Sequence, residues 1–114
     1  MAMEVAPIKV LSYVTVEGHR PYRDWFNSLR NMSTQQIIDA RLTRLEKGLL
    51  GDCRWVGQGV FELKIDVGPG YRIYLGKEGK KIVILLHGGD KSTQNKDIKK
   101  AQAYWVDYLR RSSR

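Results

Sequence analysis

Apolar positions along this chain switch between two spacings, and the switches mark its elements. From Ile8 to Val16 the run IKVLSYVTV is rich in β-branched and aromatic residues and predicts a strand that Gly18 ends. Pro21 then opens a short helix, where its missing N–H costs nothing in the first turn. Tyr22, Trp25, Phe26 and Leu29 recur at helical spacing and predict a core-facing stripe. Asn31-Met32-Ser33 interrupts the pattern, and Ser33 with Gln36 three residues on predicts a capping box that starts a second helix. Ile37, Ile38, Arg41, Leu42, Leu45 and Leu49 follow its period until Gly48 and Gly51 bracket its end.

Beyond Gly51 the spacing falls to two. In Val60–Ile65 (VFELKI), Phe61, Leu63 and Ile65 share one face and Glu62 and Lys64 the other. Gly68-Pro69-Gly70 is a turn. In YRIYL, Tyr71, Ile73 and Leu75 lie on one face, with Arg72 and Tyr74 opposite. Lys77 to Lys80 is a second turn, and the unbroken apolar run Ile82 to Leu86 predicts an interior strand buried on both faces. A loop from His87 to Lys91 leads into a last helix, from about Gln94 to Arg111, with Ile98, Ala101, Trp105, Tyr108 and Leu109 as its apolar stripe. The expectation is an α+β domain: a small antiparallel-dominated sheet, an N-terminal helical hairpin packed on one face, and a C-terminal helix. A chain of 114 residues fits one domain over positions 1–114.

Charge narrows the set of partners. With 20 Lys and Arg against 12 Asp and Glu the chain carries +8, and its pI is near 9.8. Such a domain repels itself, and the usual compensation is a polyanion, either nucleic acid or an anionic membrane surface; a soluble protein with surplus lysine is the plainer alternative. The single cysteine, Cys53, supports neither a disulfide framework nor a zinc site and reads as structural. Two distant histidines and one cysteine offer no metal-ligand spacing, so neither metal nor cofactor is expected. The opening MAMEVAPIKVL lacks the pattern of a signal peptide, and no stretch approaches the roughly 20 apolar residues of a membrane span. A cytoplasmic protein without membrane contact is expected.

The pleat carries the chemistry. If Phe61, Leu63, Ile65, Ile73 and Leu75 are buried under the helices, then Glu62, Lys64, Arg72 and Tyr74 project from the opposite face, with Lys91 at its rim. Arginine offers a phosphodiester a bidentate fork and lysine a point charge. Metal-free RNA cleavage needs a base for the 2′-OH, a cation for the phosphorane and an acid for the leaving 5′-oxygen. Arg72 suits the cation role; Glu62, or a lysine of lowered pKa, suits the base; Tyr74 or Lys91 suits the acid. The same pattern also describes ordinary solvated charges on a sheet face, with Glu62 paired to one of them. Lys96, Lys99 and Lys100 on the last helix, with Arg54, are candidates for RNA backbone contacts. His19 reads as an exposed loop residue, whereas His87 stands at a strand end beside two glycines.

The segments GLLGDCRWVGQGVFELKIDVGPGYRIYL and LLHGGDKSTQNKDIKKA, together with RPYRDWFNSL and RLTRLEKG, resemble the phage-derived "addiction module killer protein" branch of the RelE/HigB toxin superfamily. The resemblance runs from about Ile8 to Trp105. It implies a microbial-ribonuclease-like domain whose first strand joins the sheet beside the last, with helices on one face and a basic concave site on the other. The implied activity is cleavage of translated mRNA in the A site of the 70S ribosome. A cognate antitoxin, usually a helix-turn-helix repressor, would neutralise the toxin and be its only route to operator DNA. Residue by residue, Arg72 after Gly70-Tyr71 matches a catalytic arginine. Lys64 matches one of two lysines used in the preceding strand, and Glu62 stands in place of the other. Lys91 matches a basic residue before the last helix. A C-terminal tyrosine of the RelE type has no counterpart, because Tyr104 and Tyr108 fall in a helical stripe.

Two other functions share these features. ParE-like poisons of DNA gyrase use the same scaffold, and a non-catalytic nucleic-acid-binding accessory protein would have the same charge. The cluster of Glu62, Lys64, Arg72 and Lys91 favours the endoribonuclease.

Overall fold

The alternating segments at the centre of the chain pair as expected, and in a computed structural model describing residues 6–112 they anchor a five-stranded sheet. The first five residues, on which part of the leader expectation rests, lie outside the described residues. In chain order the elements are β1 (Lys9–Ser12), α1 (Pro21–Ser28), α2 (Met32–Glu46), β2 (Cys53–Trp55), β3 (Val60–Ile65), β4 (Tyr71–Glu78), β5 (Ile82–Asp90) and α3 (Gln94–Ser112), the last entered through a 3-10 turn at Lys91–Thr93. Strand order is β1-β5-β4-β3-β2, with β1 parallel to β5 and the other pairs antiparallel. The sheet is thus mostly antiparallel, and its first strand lies beside its last.

Several boundaries differ from expectation. The first strand stops at Ser12 rather than Val16, because its pairing ends at Ser12↔Leu85, just before β5 bulges at Leu86. The second helix is capped by Asn31, whose side chain accepts from the Thr34 N–H at 3.2 Å, and not by Ser33. Its end is a Schellman closure: the Gly48 N–H reaches Leu45 O at 2.8 Å and the Leu49 N–H reaches Arg44 O at 3.0 Å, with Gly48 at φ 87°. The edge strand β2 was not expected, since three residues are too few to establish an alternation. His87 to Asp90, expected as a loop, continues β5.

Both faces of the sheet are covered. On one, α1 and α2 bury Tyr22, Phe26, Ile38 and Leu45 against Leu63, Ile65, Ile73, Leu75, Val83 and Leu85. On the other, α3 lays Ala101 and Trp105 over Val60, Tyr74, Ile84 and Leu86. The second layer corrects the expectation of an open concave face. Gly76 makes it possible, because a Cβ there would run into the Trp105 indole. Leu109, expected in the stripe, is exposed at the far end of α3. Among the described residues, no helix is long and apolar enough to cross a membrane.

Candidate phosphate-binding face

Strand register sets a row of polar side chains on the α3 face: Arg54 of β2, Glu62 of β3, Tyr74 of β4 and His87 of β5 are successive cross-strand partners. The bulge decides membership. Tyr74 pairs with His87 and Leu75 with Leu85, so Leu86 is the extra residue. Without it, strict alternation would turn His87 towards α1. A second row holds Lys64, Arg72 and Gly89.

The N-terminal end of α3 closes over the first row. Glu62 is 1% exposed and fully engaged: Arg54 Nε donates to Oε1 at 3.1 Å, Gln94 Nε2 donates to Oε2 at 2.8 Å, and Arg72 Nε stands 3.8 Å from Oε2. Tyr74 is 0% exposed and its hydroxyl has no hydrogen-bond partner among the described residues; burial, reinforced by the Glu62 charge, pushes its pKa far above the usual phenol value. His87 Nε2 lies 2.9 Å from Asp97 Oδ1, and Thr93 Oγ1 donates to the other oxygen of that carboxylate. Burial lowers the His87 pKa, with Asp97 opposing and Lys100 adding to the decrease. Gly89 admits this network, since a Cβ there would overlap the Asp97 carboxylate.

The cations gather at the neighbouring corner. Arg72 Nη1 donates to Gly70 O at 2.7 Å, folding the guanidinium back on the β3–β4 turn. A Cβ on Gly70, whose φ is 78°, would stand 2.9 Å from Arg72 Nη1 and 3.8 Å from Lys91 Cβ, so both cationic residues flank one glycine. Lys64 is the direct cross-strand partner of Arg72. Exposure grades outward: Arg72 is 6% exposed, Lys64 half-buried and Lys91 exposed. Lys96, Lys99 and Lys100 are exposed along α3, and Arg54 is exposed but tied to Glu62.

The expected site residues therefore divide. Arg72, Lys64 and Lys91 lie at the same β3–β4 corner, whereas Glu62 and Tyr74 share their face but lie beneath α3. Gln94, Thr93 and Asp97, which complete the polar row, were not expected. Gln94 and Asp97 occupy the same helical stripe as Ala101 and Trp105, and a polar residue at a stripe position was the available signal. Cys53 is half-buried, and burial raises its thiol pKa, as suits a structural residue. Among the described residues, no group of three or more His, Cys, Asp or Glu could hold a metal ion.

No protein-family model matches the chain. It is 49% identical over 81 residues to an uncharacterized protein of Haemophilus influenzae, across 71% of this chain and 82% of that protein.

Proposed function

The chain belongs to the family of this Haemophilus influenzae protein, and from the residues of its own site we infer a metal-independent endoribonuclease, the toxin of a type II toxin–antitoxin pair. The observation that carries the reading is the convergence of Lys64, Arg72 and Lys91 at the β3–β4 corner. A single-stranded phosphodiester presented there meets a guanidinium held by the Gly70 carbonyl and two ammonium groups of graded exposure. In the proposed reaction the 2′-oxygen loses its proton and attacks phosphorus, negative charge builds on the phosphorane beside Arg72, and the 5′-oxygen leaves as a proton arrives. Glu62, bound on both oxygens, acts by orienting Arg72. Proton transfer falls to Lys64 and Lys91, which unlike Tyr74 reach solvent.

By the resemblance given above, the substrate is mRNA on the 70S ribosome, the setting is the cytoplasm, and the silencing partner is an antitoxin that alone contacts operator DNA. Induced expression is expected to stop translation and leave mRNA cuts at codon boundaries, mapped by 5′-end sequencing, with Arg72→Ala abolishing both. Growth arrest with intact transcripts and DNA damage would instead assign a gyrase poison. The closure of α3 over Glu62 and Tyr74 favours one further reading, a non-catalytic RNA-binding protein. In that case purified protein would bind RNA through Arg72, and neither the free chain nor ribosome-bound protein would cut it.

A further inference from the structure

At the other end of the polar row, between the β1–α1 loop and α3, lies a cleft of about 660 Å³. Its charge runs against that of the molecule. Glu17, Asp24 and Asp107 line it and, among the described residues, no lysine or arginine does, although the chain as a whole carries +8. Trp25 of α1 and Tyr104 of α3 both line it, and Tyr104 stacks on Tyr13 at 5.1 Å between ring centroids.

The unspent charged groups are acidic, while the Thr15 and Tyr104 hydroxyls and the His19 ring, which also line the cleft, can donate or accept. Asp107 accepts from Tyr13 and Arg111 on Oδ2, and the Glu17 and Asp24 carboxylates are exposed and make no hydrogen bond or ion pair among the described residues. His87 lines the cleft with Nε2 committed to Asp97, and its Nδ1 is buried without a partner among the described residues. With the imidazole neutral and Nε2–H donating to the carboxylate, Nδ1 is an acceptor short of a donor. Lys100 is close enough to act on His87, but its ammonium is not part of the lining.

Aromatic walls with unpaired carboxylates at the rim suit a flat, donor-rich cation. The chain already makes that recognition once beside the cleft: Arg111 lies 5.5 Å over the Tyr13 ring while Nε and Nη2 donate to Asp107 at 3.0 and 2.7 Å. We propose that this cleft is a docking site for an arginine side chain presented by a partner polypeptide. The occupant is a protein segment rather than nucleic acid, because the rim carboxylates repel phosphate. The cleft shares no lining residue with the Lys64, Arg72 and Lys91 corner.

The full chain, labelled with ¹⁵N, would be titrated with acetyl-Gly-Arg-Gly-amide, with its glutamate counterpart and with adenosine 5′-monophosphate, following the Trp25 indole and His87 imidazole resonances. The arginine peptide is expected to shift both saturably and the glutamate peptide neither. Glu17→Gln with Asp24→Asn, both at exposed positions, is expected to weaken binding about tenfold. Absence of saturable shifts with the arginine peptide, or equal binding by the double variant, would overturn the proposal. Tighter binding of the nucleotide than of the arginine peptide would overturn it in favour of a base-binding site.

Discussion

Gln94, the first residue of α3, donates its amide Nε2 to Glu62 Oε2 at 2.8 Å across 32 positions of sequence. This bond fastens the helix that closes the polar row, and it occupies the oxygen that faces Arg72. One carboxylate therefore serves the fold and the candidate site together. Removing it leaves the buried Arg72 guanidinium with only the more distant Asp90 charge, which costs more than losing an exposed pair.

Three substitutions around Glu62 should rank by burial. Glu62→Ala is expected to destabilise the chain by about 3–5 kcal/mol, because the buried Arg72 guanidinium loses its ion-pair partner. Gln94→Ala should cost about 1.5–3 kcal/mol, the range for a hydrogen bond to a charged group. Arg54→Ala, at the exposed end, should cost under about 1 kcal/mol. Urea midpoints at constant m-value check the order, and equal losses at Glu62 and Arg54 would refute it.

Gly76 is required by contact rather than by backbone conformation. Its φ is not in the left-handed region, yet a Cβ would overlap the Trp105 ring. Gly76→Ala should therefore cost about 1–3 kcal/mol by overpacking. Combined with Trp105→Leu it should cost less than the sum of the two changes. A double-mutant cycle in urea should give a coupling of at least about 0.5 kcal/mol, and strict additivity would mean that the two positions do not meet.

Much of the frame was legible in the sequence. The alternation in VFELKI and YRIYL fixed the Lys64–Arg72 face because a strand's pleat leaves no other arrangement. What was not legible has definite causes. The unbroken run Ile82 to Leu86 has no alternation in which a bulge could register, so the turning of His87 onto the α3 face stayed hidden. The helical period of α3 disclosed its apolar stripe, but not that the stripe would land on Tyr74 and Glu62 and shut the concave face. Nor does β2 contain enough residues to betray a strand, and with it went the pairing of Arg54 with Glu62.

The His87–Asp97 contact predicts a pH dependence. Burial depresses the folded-state pKa of His87 below its ordinary 6.5. The unfolded chain therefore binds a proton that the folded chain resists, and stability is complete above pH 6.5 and declines as pH falls towards the folded value. The groups around the imidazole are Asp97 and Lys100 of α3 and the rings of Tyr74 and Tyr104. Asp90 and Asp107, whose pKa values are lowered from 3.8, act only at more acid pH. Urea midpoints should decline between pH 7 and 5 in the wild-type chain and stay flat in His87→Gln; a wild-type profile flat over that range would refute the assignment.

Salt should separate the cations that bind from the one that acts. Lys96, Lys99 and Lys100 are exposed on α3, where an ammonium contributes to RNA affinity by releasing counterions. Each replacement by alanine that removes a phosphate contact should lower the slope of log affinity against log salt by about 0.7 for a single strand. Arg72→Lys keeps the charge, so its slope should stay near wild type. It nevertheless loses the planar fork that Gly70 O holds from one side, and cleavage should collapse while binding persists. Filter binding of a short single-stranded RNA across a salt series, run beside the ribosome cleavage assay, checks both halves. Full cleavage by Arg72→Lys would show that charge alone suffices at this corner.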